Sequence, residues 1–254
     1  MTRFRTLLAT TALSFAAGFT PAHAAPANAV KDIVLVHGAF ADGSGWKPVA
    51  DILRKDGYTV HIAQPPETSL DEDVTSVNRI LDQLDRPAVL VGHSYGGAII
   101  TEAGNNQHVK TLVYVAALQP DAGESAGQLL ASKPAAGTSI VPSQDGFLTI
   151  LPDHFHADFA ADLPVSLTDF MAASQVPLSV KAASTPNKAP AWRTKPSYAI
   201  VATQDRSINP DLERSMYARS KSITTEIVAS HAVYISQPRA VAKVIEQAAV
   251  AAAK

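Results

Sequence analysis

The sequence predicts an α/β fold, with a mostly parallel, doubly wound sheet and an inserted helical cap. Three observations predict it. Short apolar runs rich in β-branched residues, such as residues 33–36 and 88–91, suit strands buried on both faces. Segments of helical spacing separate these runs, and strict strand–helix alternation implies a parallel sheet with right-handed crossovers. A glycine-rich turn at 92–97 directly follows one run.

Residues 33–36 (Ile-Val-Leu-Val) give the first strand. Residues 46–55 read as a helix ending at Gly57, and 58–63 as the second strand. Ser69 with Glu72 is a capping box opening a helix through Asp85, with Val74, Val77, Ile80, Leu81 and Leu84 on one face. Residues 88–91, 111–115, 198–201 and 225–228 supply further strands, about six in all. Asn209-Pro210 starts one late helix and Ser236-Gln237-Pro238 the last. Residues 119–195 break the rhythm. They are rich in Ala, Pro and Ser, with broken helical patterns at 125–132, 166–173 and 178–183. So long a stretch between two core strands reads as a cap over a site. There is no internal repeat and no linker, so residues 25–254 are expected to form one domain.

Residues 1–24 read as an export signal. Arg3 and Arg5 precede an apolar stretch at 7–19, and Ala22-His23-Ala24 places small residues at a cleavage site. The stretch is too short to cross a bilayer core of roughly 30 Å as a permanent anchor. An exported enzyme, periplasmic or secreted and without a membrane span after cleavage, is the expectation. The net charge of −2 offers no electrostatic case for nucleic acid or an anionic membrane. The chain has no cysteine, which excludes disulfides, thiolate metal sites, a cysteine nucleophile and a lipid-modified N-terminal cysteine.

Gly92-His93-Ser94-Tyr95-Gly96-Gly97 lies between the strand 88–91 and a helical segment beginning at Ala98. A sharp strand-to-helix turn exposes the hydroxyl of a strained serine at a helix N-terminus. Glycines at 92 and 96 let neighbouring backbone approach, and the helix N-terminus favours developing negative charge. Ser94 is the expected nucleophile. His37-Gly38-Ala39-Phe40 follows the first core strand, so the backbone N–H groups of Ala39 and Tyr95 are expected to form an oxyanion hole. His37 is expected to fix that loop, while Phe40 and Trp46 pack or line the pocket.

Two partners should follow the nucleophile in the order acid, then histidine. Asp205 lies on the loop after the strand 198–201, and His231 after the final strand. His231 is the expected base and Asp205 its orienting acid. Asp121, just past the strand 111–115, could reach the same histidine. Asp211 reads as a first-turn residue complementing a helix dipole. His93 reads as structural, and His61 and His108 have no chemistry-bearing neighbours. Residues 153–158 (Asp-His-Phe-His-Ala-Asp) hold metal-ligand types without an established zinc spacing, and are expected to be an exposed cap loop. Neither metal nor organic cofactor is expected.

Together these residues resemble the α/β-hydrolase superfamily, from about Asp32 to the C-terminus. His37-Gly38-Ala39-Phe40 through Gly45-Trp46, with the Ser94 turn and Ser230-His231, resemble the branch containing bacterial esterases, plant methyl esterases and hydroxynitrile lyases. The resemblance implies a cap before the strand carrying the acid, and cofactor-free ester cleavage through an acyl-enzyme. The superfamily's first two antiparallel strands are absent from the pattern, leaving a six-stranded sheet. The expected substrate is a small to medium carboxylic ester. C–C or C–N hydrolysis, lactone opening and cyanohydrin cleavage would suit the same residues, and a non-catalytic ligand-binding module would suit the scaffold. Phe40, Phe147, Phe155 and Phe170 are candidate substrate contacts, with Phe159, Leu163 and Met171 either beside them or forming the cap's own core.

Overall fold

The computed structural model describes residues 26, 28–137 and 139–253. The expected export signal at 1–24 lies outside them. Among the described residues six strands form the central sheet: β1 (Asp32–Val36), β2 (Thr59–Ala63), β3 (Ala88–Ser94), β4 (Val109–Ala117), β8 (Ser197–Ala202) and β9 (Ile223–Ile227). Their order is β2-β1-β3-β4-β8-β9 and every pairing is parallel. The winding reverses between β1 and β3, the position where open α/β sheets leave a crevice beyond the strand C-termini.

The β-branched runs became strands because both faces are covered. Ile33, Leu35, Val89, Val91, Val113 and Val115 pack on one face, under α1 (Lys47–Lys55) and α10 (Pro238–Ala251). Val34, Val36, Leu90, Leu112 and Tyr114 pack on the other, with α2 (Leu70–Leu81), α3 (Gly96–Ala103) and α8 (Pro210–Ser220). The Ser69 cap is present, its side chain accepting from Glu72 N, but α2 stops at Leu81 rather than Asp85.

The cap carries the expected helical stretches as α4 (Ala126–Ser132), α6 (Val165–Ala173) and α7 (Val180–Ser184). Two features differ from the expectation of a purely helical cap. A three-stranded antiparallel sheet joins β5 (Ile140–Pro142), β6 (Phe147–Ile150) and β7 (Leu178–Ser179). The turn between β5 and β6 ends at Asp145-Gly146, where Gly146 has φ 85°; that dipeptide between apolar pairs is a hairpin signal. Residues 153–158, expected as an exposed loop, belong to the helix α5 (Pro152–Phe159). Pro152 opens it and Phe155 and Phe159 bury one face. A short helix, α9 (Val233–Ser236), precedes α10.

Candidate active site

Ser94 ends β3 with φ 54°, a left-handed conformation uncommon for a residue with a side chain. Neighbouring contacts hold it there. A Cβ on Gly96 would lie 2.6 Å from His37 O, so only glycine lets the β1 loop close on the turn. A Cβ on Gly38 would lie 2.7 Å from Ser94 Cβ and 2.9 Å from Tyr95 N, so the loop carrying Ala39 touches the backbone beside Ser94. Among the described residues the amides of Ala39 and Tyr95 donate no hydrogen bond, whereas the amide of Phe40 donates to Val176 O at 3.0 Å. Phe40 itself has φ 65°.

His231 follows β9, and its Nδ1 stands 2.5 Å from Asp205 Oδ2, with both side chains buried. The carbonyls and carboxylates around it set each role. Asp205 Oδ1 accepts from the amides of Ser207 (2.7 Å) and Ile208 (2.8 Å), which turns Oδ2 toward the imidazole. With Asp205 accepting, Nδ1 carries the proton and Nε2 is left as an acceptor. The His231 loop is anchored to the cap: Ser230 donates through its amide (3.1 Å) and hydroxyl to Asp162, and Ala232 N donates to Phe159 O at 3.1 Å. His93 packs against this pair. Its Nε2 donates to His231 O at 3.0 Å and its ring packs on those of His231 and Tyr234. Burial holds His93 well below the usual imidazole range, hence neutral, and the neighbouring His231 adds to the effect.

A second buried network underlies the loop of Ala39. His37 Nδ1 lies 3.3 Å from Glu67 Oε1 and 3.1 Å from Gly38 O. Asp73 accepts from Glu67 N (2.6 Å) and from the Tyr95 hydroxyl (2.8 Å), linking the residue that faces His37 to the residue after Ser94. Burial pushes Glu67 up to about 7 and Asp73 up to about 6. For His37 burial pulls down and Glu67 pulls up, and the net direction is up.

Ser94 and His231 line one cavity of about 210 Å³, together with Ala39, Phe40 and Tyr95. Its walls are apolar: Leu118, Leu130, Ile140, Leu148, Phe159 and Ile208. Of the four expected substrate contacts, Phe40 belongs to this wall. Phe170, which is 67% exposed, lines a neighbouring cavity with Phe40, Leu167 and Met171. Phe147 and Phe155 line neither. Phe155 is fully buried behind Phe159, ring centroids 4.9 Å apart, so Phe159 reaches the cavity in its place. The sheet of the cap supplies Ile140, Leu148 and Leu178, which helical patterning could not find.

The remaining candidates find other partners. Asp121 forms a two-pronged pair with Arg193 (2.8 and 2.7 Å), whose bonds hold its carboxyl below the usual range. Asp158 accepts from Ser139 Oγ (2.6 Å) and pairs with Arg206, while His156 meets Thr168 Oγ1 at 3.1 Å. His61 pairs with Asp32 at 3.2 Å.

A serine on a strained strand-to-helix turn, opposite a buried acid–histidine pair at the C-terminal edge of a parallel sheet, narrows the choice of families sharply. Residues 33–244 match the alpha/beta hydrolase family. The chain belongs to that family. It is 36% identical over 114 residues to a carbendazim hydrolyzing esterase of a Nocardioides species, a match covering 39% of this chain and 47% of that esterase. It is 26% identical over 247 residues to the pyrethroid hydrolase of Sphingobium wenxiniae, covering 85% of this chain and 86% of that enzyme. A crystal structure of a pyrethroid hydrolase from Sphingobium faniae superposes with a TM-score of 0.74 at 24% identity, covering 86% of this chain and 96% of that one.

Proposed function

We propose that this hydrolase-family chain is an exported carboxylesterase acting on small to medium uncharged esters through an acyl-enzyme. The observation carrying the reading is the buried Asp205–His231 pair (2.5 Å) in the wall of the cavity that Ser94 enters. Ser94 Oγ attacks the ester carbonyl as its proton passes to His231 Nε2, and Asp205 stabilises the imidazolium so formed. The amides of Ala39 and Tyr95 receive the oxyanion, a preorganised donor being worth about 3–4 kcal/mol in the transition state. Collapse expels the alcohol, which takes the proton from His231. Water, deprotonated by His231, then releases the acid and restores Ser94.

The substrate class follows from the walls. Among the described residues that line the cavity there is no Asp, Glu, Lys or Arg, and desolvating a charged substrate group there would be unfavourable. The names of two relatives, an esterase and a pyrethroid hydrolase, support the same class of reaction. The test uses purified protein, a panel of uncharged chromogenic esters and a serine-directed phosphonate. Ser94→Ala is expected to lose turnover by about 10⁴-fold or more and to lose labelling, with its circular dichroism unchanged. Undiminished turnover in that variant overturns the reading.

A further inference from the structure

One ionisable group beside Asp205 has no part in the steps above. Glu213 sits on α8, the helix that follows the Asp205 loop, and is fully buried. Its carboxyl lies against that of Asp205 and near the backbone N–H of Ala202. The other titratable groups around it offer no charge pairing. Tyr217 is buried with its hydroxyl donating to Ala117 O at 2.8 Å. Arg214 is held outward by Glu226 (2.8 Å) and Asp211 (2.8 Å). As a carboxylate, Glu213 accepts no well-formed hydrogen bond on either oxygen among the described residues.

A buried carboxylate without a cation is costly enough that such groups keep their proton instead. With a proton, the same contact becomes an O–H···O bond to Asp205. The Asp205 carboxylate offers about four lone-pair sites. The amides of Ser207 and Ile208 and the Nδ1 proton of His231 occupy three of them.

We propose that Glu213 is a positioning residue of the triad: a neutral carboxylic acid that donates its proton to the remaining site on Asp205, holding that carboxyl in plane and aimed at His231. The proposal rests on the esterase reading, because it acts through Asp205. Burial drives Glu213 well above the usual carboxylate range and the adjoining Asp205 adds to that, consistent with a proton retained at neutral pH. Removing the donor leaves Asp205 a stronger base and less fixed in plane, which raises the proton affinity of His231.

The experiment compares Glu213→Gln, Glu213→Met and Asp205→Asn, singly and with Glu213→Met combined with Asp205→Asn, in ester hydrolysis across pH. Glu213→Met is expected to lower kcat by about tenfold to a hundredfold with little change in KM, and to move the acid limb of kcat/KM to higher pH. Glu213→Gln, which keeps a donor of similar size, is expected to retain most activity and the original limb. Adding Glu213→Met to Asp205→Asn is expected to cost little more, as residues acting as one unit are not additive. An inactive Asp205→Asn beside a Glu213→Met with wild-type kcat and limb overturns this proposal and leaves the triad standing. A fully active Asp205→Asn overturns both. If Glu213→Met does not fold, infrared difference spectra of the wild type against Glu213→Gln decide: a protonated-carboxyl band lost in the variant is expected, and its absence at neutral pH overturns the proposal.

Discussion

Two buried acid–histidine pairs stand at the C-terminal edge of the same sheet among the described residues, and their difference bears on why the proposed chemistry is assigned to one of them. In each, a histidine Nδ1 faces a carboxyl and both side chains are almost wholly excluded from water. The Asp205–His231 pair is 2.5 Å apart, and two backbone amides also donate to Asp205. The His37–Glu67 pair is 3.3 Å apart; His37 Nδ1 is shared with its own loop at Gly38 O, and neither Glu67 oxygen has a well-formed hydrogen bond. Oriented N–H donors favour the charged form of a buried carboxyl and burial disfavours it. For Glu67 burial dominates, lifting it to about 7. The second difference is what the histidine borders: His231 lines the Ser94 cavity, whereas His37 is packed into the loop that presents Ala39.

The sharpest way to break this contrast is to remove each histidine. His231→Ala is expected to lower kcat by about 10⁴-fold or more, because the proposed proton relay runs through this side chain. His37→Gln is expected to cost far less and to spare phosphonate labelling of Ser94, because only the placement of the Ala39 amide changes. Equal losses in steady-state hydrolysis would erase the distinction between the two pairs. An intermediate effect is expected from Gly38→Ala. Its new Cβ would stand 2.6 Å from His93 O and 2.9 Å from Tyr95 N, backbone atoms that cannot rotate away. The amides of Ala39 and Tyr95, the proposed oxyanion donors, would be forced apart, at about a 10²- to 10³-fold loss of kcat. A Gly38→Ala enzyme with full kcat would show that those amides do not act.

Much of this was legible in the sequence, for a physical reason. Strands covered on both faces must be apolar throughout, so residues 33–36, 88–91 and 111–115 stand out without any knowledge of their neighbours. Loops at strand C-termini then place Ser94, Asp205 and His231 on one edge before any distance is known. The supporting acids were not legible. Glu213 lies four residues after Asn209 on a helix whose charges mostly face water, and Glu67 lies in a polar stretch before the Ser69 cap; only tertiary packing buries them. The wall of the cavity was half legible. Phe155 and Phe159 share one face of α5 by their spacing, but which of them reaches the cavity depends on how the helix is set against His231.

The smallest expected effect sharpens the comparison through stability. The Glu67 pKa rises from 4.5 in the unfolded chain to about 7 in the fold. Between those values the folded protein holds a proton the unfolded chain has released, so the stability contributed below pH 4.5 is lost as pH climbs to about 7. Asp73, raised from 3.8 to about 6, acts with the same sign, and so does His37, raised from 6.5. Each unit of difference corresponds to about 1.4 kcal/mol, so Glu67 alone accounts for a few kcal/mol at most. Glu67→Gln removes that contribution. Urea unfolding at a series of pH values is expected to show wild type ahead of the variant near pH 4.5, with its advantage shrinking or reversing by pH 8. Parallel stability curves would mean that Glu67 holds no extra proton in the fold, and the contrast between the two pairs would then rest on their geometry and on what their histidines border.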